Sequence, residues 1–68
     1  MASTTPEIMR YFAYGHLPEG LAEVSAQFRE LAINMLLLPD CAERSAGLRK
    51  LLEAKDCAVR ASLLVEPL

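Results

Sequence analysis

Apolar residues recur at helical spacing through the middle of the chain. They follow one another in alternating steps of three and four, at Leu21, Val24, Phe28, Leu31, Met35 and Leu38. Such a seam is typical of an amphipathic helix and here extends over about five turns. Pro18 and Pro39 bracket the segment, and Ala32 and Leu36 widen its apolar stripe. The pattern therefore predicts a helix over 18–38 that touches more than one neighbour.

A shorter helix is predicted before this segment, over about 6–13. Thr5 can cap its start, Pro6 suits the first helical position, and an acidic residue at Glu7 complements the helix dipole. Gly15 is expected to end it in the left-handed backbone conformation, since glycine adopts that conformation without steric cost. The chain would then turn a tight corner into the second helix.

A third helix is predicted after Pro39, over about 41–64. Asp40 is expected to be its N-cap, and Glu43 stands three residues later, which together make a capping box. Because so short a connection favours antiparallel neighbours, helices two and three should form a hairpin. The predicted fold class is all-α: a short N-terminal helix plus an antiparallel two-helix hairpin, in a single domain over 1–68.

The apolar content is larger than this fold can hide. The chain has 68 residues, of which 53% are hydrophobic, and its mean hydropathy is +0.22. Domains of this size are marginally stable alone and usually need disulfides, a metal or partner subunits. A two-helix hairpin has only one shared face in which to bury side chains. We therefore expect the hairpin to assemble as a homo-oligomer.

Charge and hydropathy exclude several partners. The formal net charge is −2 at pH 7, whereas proteins that bind duplexes show a basic face, so DNA is not expected. The richest apolar run, 31–38, is far shorter than the ~20 residues of a membrane span. The N-terminus also lacks the pattern of a signal peptide. These features predict a cytoplasmic protein with no membrane partner.

The cysteines and the single histidine suggest no chemistry. On one helix, Cys41 and Cys57 would lie roughly 24 Å apart, whereas a disulfide needs Cα atoms within about 7 Å. We expect both to be small buried thiols. The sequence contains no CxxC pair and no nucleophile, base and orienting group at recognisable spacing. A metal, a cofactor and enzyme activity are therefore not expected.

Aromatic and cationic residues cluster near the first helix. Tyr11, Phe12 and Tyr14 lie between Arg10 and His16. Flat rings beside cations suit nucleobases, because a base can stack while a cation meets a phosphate. The alternative is that Phe12 and one tyrosine simply pack the helix on the hairpin. Phe12 is expected in the core, and the tyrosines are the better ligand candidates, since phenols tolerate wet edges.

Cations also lie on the third helix. Lys55 interrupts the apolar stripe, so it either extends out of the seam or pairs with Glu53 or Asp56 of a neighbouring subunit. Arg60 has two interpretations as well. It pairs with Asp56 at i, i+4, or its copies from several subunits converge on one anionic ligand.

Three stretches together resemble one family. They are Arg10-Tyr-Phe-Ala-Tyr-Gly-His-Leu-Pro, Val24-Ser25…Phe28, and Leu48-Arg-Lys-Leu-Leu-Glu-Ala-Lys-Asp-Cys-Ala-Val-Arg60-Ala. They are similar to the phage anti-CBASS cyclic-oligonucleotide sponges, whose helical-hairpin domain is shared with phage inhibitors of Thoeris signalling. The resemblance covers about residues 6–64. It implies a hexamer that binds cyclic dinucleotides between pairs of subunits and, in some members, cyclic trinucleotides where three subunits meet.

The resemblance also implies roles for particular residues. Tyr11 resembles the tyrosine that stacks on the bases. Ala26 stands where the family has a phosphate-binding lysine, and Arg10, His16 or Arg29 could substitute for that lysine. The cyclic dinucleotide-binding residues expected in this chain are Tyr11, Arg10, Tyr14, His16, Ser25 and Arg29. Arg60 resembles the arginine of the trinucleotide pocket, and Lys55 is expected beside it. Because Tyr11 and Arg60 are remote in sequence, we expect two separate pockets.

The expected function is therefore that of a sponge. The family binds cyclic di- and trinucleotide messengers of host immunity and releases them unchanged, in the cytosol of the infected bacterium. The alternative is a structural or adaptor hairpin that binds a protein partner. A transcription regulator is a third option, but the sequence lacks a recognisable recognition helix and a basic face.

Overall fold

The computed structural model describes residues 5–15 and 17–64, which form three helices and short connections. A 3-10 helix spans Glu7–Phe12, and two α-helices span Glu19–Met35 (α1) and Ala42–Ser62 (α2). The α-helices pack against each other, and the 3-10 helix packs against both. The all-α prediction is confirmed, since the described residues contain no strand. Neither long helix within those residues has the length and apolarity needed to cross a membrane.

The N-terminal helix differs from its prediction in type and in both ends. Pro6 occupies the N-cap position without a side-chain hydrogen bond, so Thr5 does not cap the helix and Pro6 is not its first residue. The helix ends before Ala13, whose ψ of 143° is extended. The predicted stop at Gly15 was therefore wrong, and Gly15 does not have a left-handed φ. Phe12, the last helical residue, is fully buried.

The core is small and draws on all three helices. Its fully enclosed apolar residues are Phe12, Ala32 and Leu48, with relative exposures of 0%, 0% and 1%. Partly buried side chains surround them, namely Ile8, Met9, Phe28, Met35, Leu36, Leu51 and Leu52. Burying one phenylalanine contributes about 1.5–3 kcal/mol. The prediction that Phe12 belongs to the core is confirmed, and its ring fastens the 3-10 helix to the hairpin.

The apolar seam of α1 is divided into two rows. Phe28 and Met35, seven residues apart, pack against the core. Leu31 and Leu38, also seven apart, are 50% and 54% exposed. A helix advances about 100° per residue, so residues three or four apart lie on adjacent lines of its surface. The hairpin therefore covers the row of Phe28 and Met35 and leaves the row of Leu31 and Leu38 about half exposed.

The end of α1 is held by an arginine of α2. The helix stops at Met35, before the predicted limit of 38, because the amides of 36–38 each bond a carbonyl three residues earlier. Arg44 Nη1 donates to the carbonyl oxygens of Leu36 at 3.3 Å and Leu38 at 3.0 Å. The side chain of Arg44 is only 11% exposed. It therefore binds carbonyls that the helix itself leaves without partners.

The predicted capping box of the third helix was wrong. α2 begins at Ala42, with Cys41 in the N-cap position and no side-chain cap bond. The carboxylate of Asp40 instead lies 3.2 Å from Arg44 Nη2, so it is engaged by that guanidinium. Glu43 remains in the first turn of α2, where a carboxylate complements the helix dipole.

Both cysteines are exposed and free, so the expectation of buried thiols was wrong. Cys41 precedes α2 at its exposed start. Cys57 lies nine residues after the buried Leu48, a spacing that places it about half a turn from the buried face of the helix. The position of Cys57 on the helix, and not the apolar character of its thiol, thus determines its exposure.

A glycine leaves room for a methionine between α1 and α2. A Cβ added at Gly47 would lie 2.8 Å from the terminal methyl of Met35. Glycine costs a helix about 1 kcal/mol relative to alanine. Packing of the Met35 methyl group against Gly47 offsets this loss of helix stability. The close approach helps to fix how the two helices pack.

Candidate ligand-binding site

A cavity lies between the N-terminal segment and the second half of α2. Its volume is about 380 Å³, near the lower end of the ~300–1,000 Å³ usual for small-molecule sites. The polar and aromatic side chains that line it are Arg10, Tyr11, Lys55, Asp56 and Arg60. The apolar ones are Ala13, Leu17 and Val59. The cavity is thus an apolar hollow with charged side chains and one phenol around it.

Tyr11 forms the aromatic part of the site because of its neighbour. Phe12 is enclosed in the core, and adjacent residues of a 3-10 helix point about 120° apart. Tyr11 is consequently 57% exposed, and its ring borders the cavity. Arg10 lies beside it, with Nη1 3.0 Å from Glu7 Oε1 across one turn. That pair is well exposed, so it holds the guanidinium only weakly.

The α2 side of the cavity carries an ion pair. Lys55 Nζ lies 3.0 Å from Asp56 Oδ1, and the lysine side chain is only 12% exposed. Within the single chain, Lys55 is thus paired with the carboxylate of the adjacent residue. Asp56 is 47% exposed, so it remains accessible from the cavity.

Arg60 does not form the predicted i, i+4 pair with Asp56. That carboxylate is engaged by Lys55, and Arg60 Nη2 donates instead to Cys57 Sγ at 3.4 Å. A thiol is a weak acceptor. The guanidinium is exposed and borders the cavity, so it is available for a stronger, anionic acceptor.

The cavity has the opposite charge to the chain. Three cations and one carboxylate line it, which gives a formal lining charge of +2, whereas the net charge of the chain is −2. Charge-assisted hydrogen bonds from guanidinium and ammonium groups suit phosphate oxygens. A ring with one free face suits stacking on a planar ligand. The arrangement fits a small anion that carries an aromatic group.

The structure brings together residues that the sequence had assigned to two pockets. Arg10 and Tyr11, expected in a dinucleotide site, line the same cavity as Lys55 and Arg60, expected in a trinucleotide site. The corner after the 3-10 helix and the length of α2 carry these segments to one place. Sequence separation between Tyr11 and Arg60 is therefore no evidence for separate pockets within one subunit.

Other predicted residues lie elsewhere. Arg29 is stacked over the ring of Tyr14, with Cζ 6.0 Å from the ring centroid, and neither residue lines the cavity. Ser25 is fully buried, so it is not a ligand contact in this structure, and its hydroxyl has no hydrogen-bond partner. Ala26 is half-buried and does not line the cavity either. His16 lies outside the described residues.

Sequence reasoning missed four lining residues, Ala13, Leu17, Asp56 and Val59. A pattern for two of them was present, because Lys55, Asp56, Val59 and Arg60 follow one another at i, i+1, i+4 and i+5. That spacing places all four on one side of a helix. Leu17 had no comparable pattern, since its position depends on the corner that precedes α1.

The described residues also limit what else the chain could hold. Across 5–15 and 17–64, histidine, cysteine, aspartate and glutamate side chains do not gather in any group of three that could bind a metal ion. No protein-family model, no curated protein and no solved structure matches the chain.

Proposed function

We propose that this chain is a phage anti-defence sponge. It forms a homo-oligomer, a hexamer as the resemblance implies, that binds cyclic di- and trinucleotide messengers of host CBASS immunity in the bacterial cytosol. It sequesters them without cleavage. The observation that carries the proposal is the cavity in which Tyr11 lies beside the cations Arg10, Lys55 and Arg60.

The lining suggests how a nucleotide would bind. The ring of Tyr11 stacks on a base, a contact worth about 1–3 kcal/mol per base and tolerant of base identity. Lys55 and Arg60, on the opposite side of the cavity, donate to phosphate oxygens. The apolar wall at Val59 and Leu17 excludes water from the sugar and base. A formal lining charge of +2 favours a ligand with few phosphates over a long nucleic acid.

Binding without chemistry is supported by the same side chains. Among the described residues that line the cavity there is no serine, threonine, cysteine or histidine to act as nucleophile or base. The one carboxylate, Asp56, is paired with Lys55 at 3.0 Å. The proposal therefore assigns to this site the binding of a phosphodiester without a cleavage step.

A second subunit would complete the site. Tyr11 is 57% exposed, so a base stacked on one of its faces would itself remain open to solvent on the other side. Large apolar side chains are also exposed elsewhere, at Leu31, Ile33, Leu37, Leu38, Leu63 and Leu64. Exposed apolar side chains of this number suit burial against further subunits. An oligomer would cover both the ligand and these leucines.

We expect Tyr11→Ala to weaken cyclic dinucleotide binding by about ten- to a hundredfold, because the stacking contact is lost. Tyr14→Ala is the matched control, since it removes the same ring from a position outside the cavity. Isothermal titration calorimetry of both variants and the wild type gives the affinities. If Tyr11→Ala binds as tightly as the wild type while Tyr14→Ala does not, the site has been assigned to the wrong tyrosine.

An adaptor hairpin is the second candidate, favoured by the exposed leucines at the two ends of the hairpin. Leu37 is 84% exposed beside the interhelical turn, and Leu64 is 73% exposed after α2. Exposed apolar groups of this size suit a protein partner. Absence of binding across a panel of cyclic di- and trinucleotides, with the protein oligomeric, would favour the adaptor over the sponge.

A further inference from the structure

A carboxylate lies among the cations of the ligand cavity. Asp56 lines it together with Arg10, Lys55 and Arg60. A carboxylate repels a phosphate placed beside it, because like charges at short distance raise the free energy of binding. In a cavity that binds phosphates, Asp56 is therefore best used where it meets a hydrogen-bond donor of the ligand and not a phosphate oxygen.

The ion pair with Lys55 uses only part of the accepting capacity of Asp56. Lys55 Nζ lies 3.0 Å from Oδ1, whereas an ionised carboxylate has about four acceptor positions over its two oxygens. Among the residues that the structure describes, no other side chain engages this carboxylate. The Asp56 side chain is also 47% exposed. It can therefore hold Lys55 and still accept hydrogen bonds from a ligand.

The acceptor and the nearest guanidinium of the cavity remain separate. Arg60 follows Asp56 by four residues, so the two Cβ atoms lie about one helical turn apart. The guanidinium nevertheless donates to Cys57 Sγ at 3.4 Å and not to the carboxylate. A nucleotide has a matching division, because its phosphate oxygens accept hydrogen bonds and the N–H groups of its base donate them. The α2 wall thus offers a donor for the phosphate and an acceptor for the base.

We infer that Asp56 selects the base of the ligand and that the cavity prefers guanine. On its Watson–Crick edge guanine has two adjacent donors, N1–H and N2–H, which can both donate to one carboxylate. Adenine, cytosine and uracil each place an acceptor beside their single donor group on that edge, and a carboxylate repels the acceptor. Bases outside a duplex are commonly stacked on one face and read at this edge, so Tyr11 and Asp56 have separate roles. The inference rests on the proposed function and adds which cyclic nucleotides are bound.

Calorimetry of the wild type with three cyclic dinucleotides tests the preference. Cyclic di-GMP should bind at least about tenfold more tightly than cyclic di-AMP, because two hydrogen bonds to a charged acceptor are lost with adenine. Cyclic di-IMP should fall between them, since hypoxanthine keeps N1–H and lacks the N2 amine. These three ligands differ only at the base edge, so the comparison does not depend on the folding of a variant.

Asp56→Asn tests whether this residue is the cause of the preference. An asparagine amide presents one acceptor and one donor, which does not match the two donors of guanine, so the preference should fall below about threefold. The substitution also removes one negative charge, which changes the lining charge from +2 to +3 and favours both ligands alike. Glu53→Gln is the matched control, because it removes the same charge from an exposed position of α2 outside the cavity. It should keep the wild-type preference.

The outcomes separate this inference from the proposal on which it rests. A wild type that binds cyclic di-GMP and cyclic di-AMP equally well would overturn the inference and leave the sponge intact. An unchanged preference in Asp56→Asn would also overturn it, as would an equal loss of all three ligands, which would mean that Asp56 only holds Lys55. A wild type that binds none of the three would overturn both the preference and the proposed dinucleotide binding.

Discussion

Arg44→Ala is expected to unfold much of the protein at temperatures where the wild type is fully folded. Arg44 donates to two carbonyl oxygens at the end of α1, at 3.3 and 3.0 Å, and lies 3.2 Å from the carboxylate of Asp40. Hydrogen bonds from charged donors contribute about 1.5–3 kcal/mol each, and Asp40 is too exposed to add much. We therefore expect a loss of about 2–4 kcal/mol, a large fraction of the stability of so small a domain.

Thermal and urea unfolding followed by circular dichroism measures this effect. Arg49→Ala is the matched control, because it removes the same side chain from an exposed position on the same helix and should change stability by under about 0.5 kcal/mol. Arg44→Lys keeps the charge but cannot reach two carbonyls and the carboxylate in the same geometry. It should fall between the wild type and the alanine variant. Equal stabilities of Arg44→Ala and Arg49→Ala would show that the contacts of Arg44 with the end of α1 do not stabilise the fold.

Arg60→Ala is expected to weaken cyclic di- and trinucleotides alike, by about ten- to a hundredfold, with little change in stability. Arg60 lines the same cavity as Tyr11, so under the proposed function its guanidinium would meet a phosphate of either ligand. Its one hydrogen bond in the free protein is to a sulfur at 3.4 Å, and losing that costs little. Calorimetry with both ligand sizes measures the effect.

Arg49→Ala again serves as control, since Arg49 does not line the cavity. Loss of one ligand without the other would argue against a shared cavity. If Arg60→Ala lost only the trinucleotide and Tyr11→Ala only the dinucleotide, two independent pockets between subunits would be required. Unchanged binding of both ligands in Arg60→Ala would make Arg60 an ordinary surface charge.

Periodicity predicted the helices well because helix formation depends on local spacing. It did not predict which half of the α1 seam would be buried. Phe28 and Leu31 are equally apolar, and only the position of α2 determines that one packs in the core and the other is exposed. Contacts between the helices, such as the close approach of Met35 to Gly47, are not contained in one-dimensional spacing.

Helix ends were predicted less well for a related reason. Asp40 followed by Glu43 is typical of a capping box, yet the carboxylate of Asp40 lies 3.2 Å from the guanidinium of Arg44 and makes no cap bond. Both pairings are local in sequence, and the burial of Arg44 against the end of α1 decides between them. Tertiary context thus changed the use of a residue whose local pattern was correctly recognised.

The structure brings some of the predicted site residues to one cavity and places others elsewhere. Tyr11 and Arg60 were singled out for stacking and for anion binding, and both border the cavity. Ser25 was chosen from the resemblance alone, although it lies on the same helical face as the core residue Ala32, where it is fully buried. Residue type indicated what each side chain could do, whereas access to it depended on packing.

Sequestration without cleavage is tested most directly by recovering the ligand after binding. Purified protein in excess is incubated with a cyclic dinucleotide or trinucleotide, the free ligand is measured by filtration and chromatography, and the protein is then denatured by heat. We expect free ligand to fall in proportion to added protein and to return intact, with an unchanged mass, on denaturation. Ligand that stays free at protein excess, or that returns as a linear product, would contradict the proposal that this chain is a sponge.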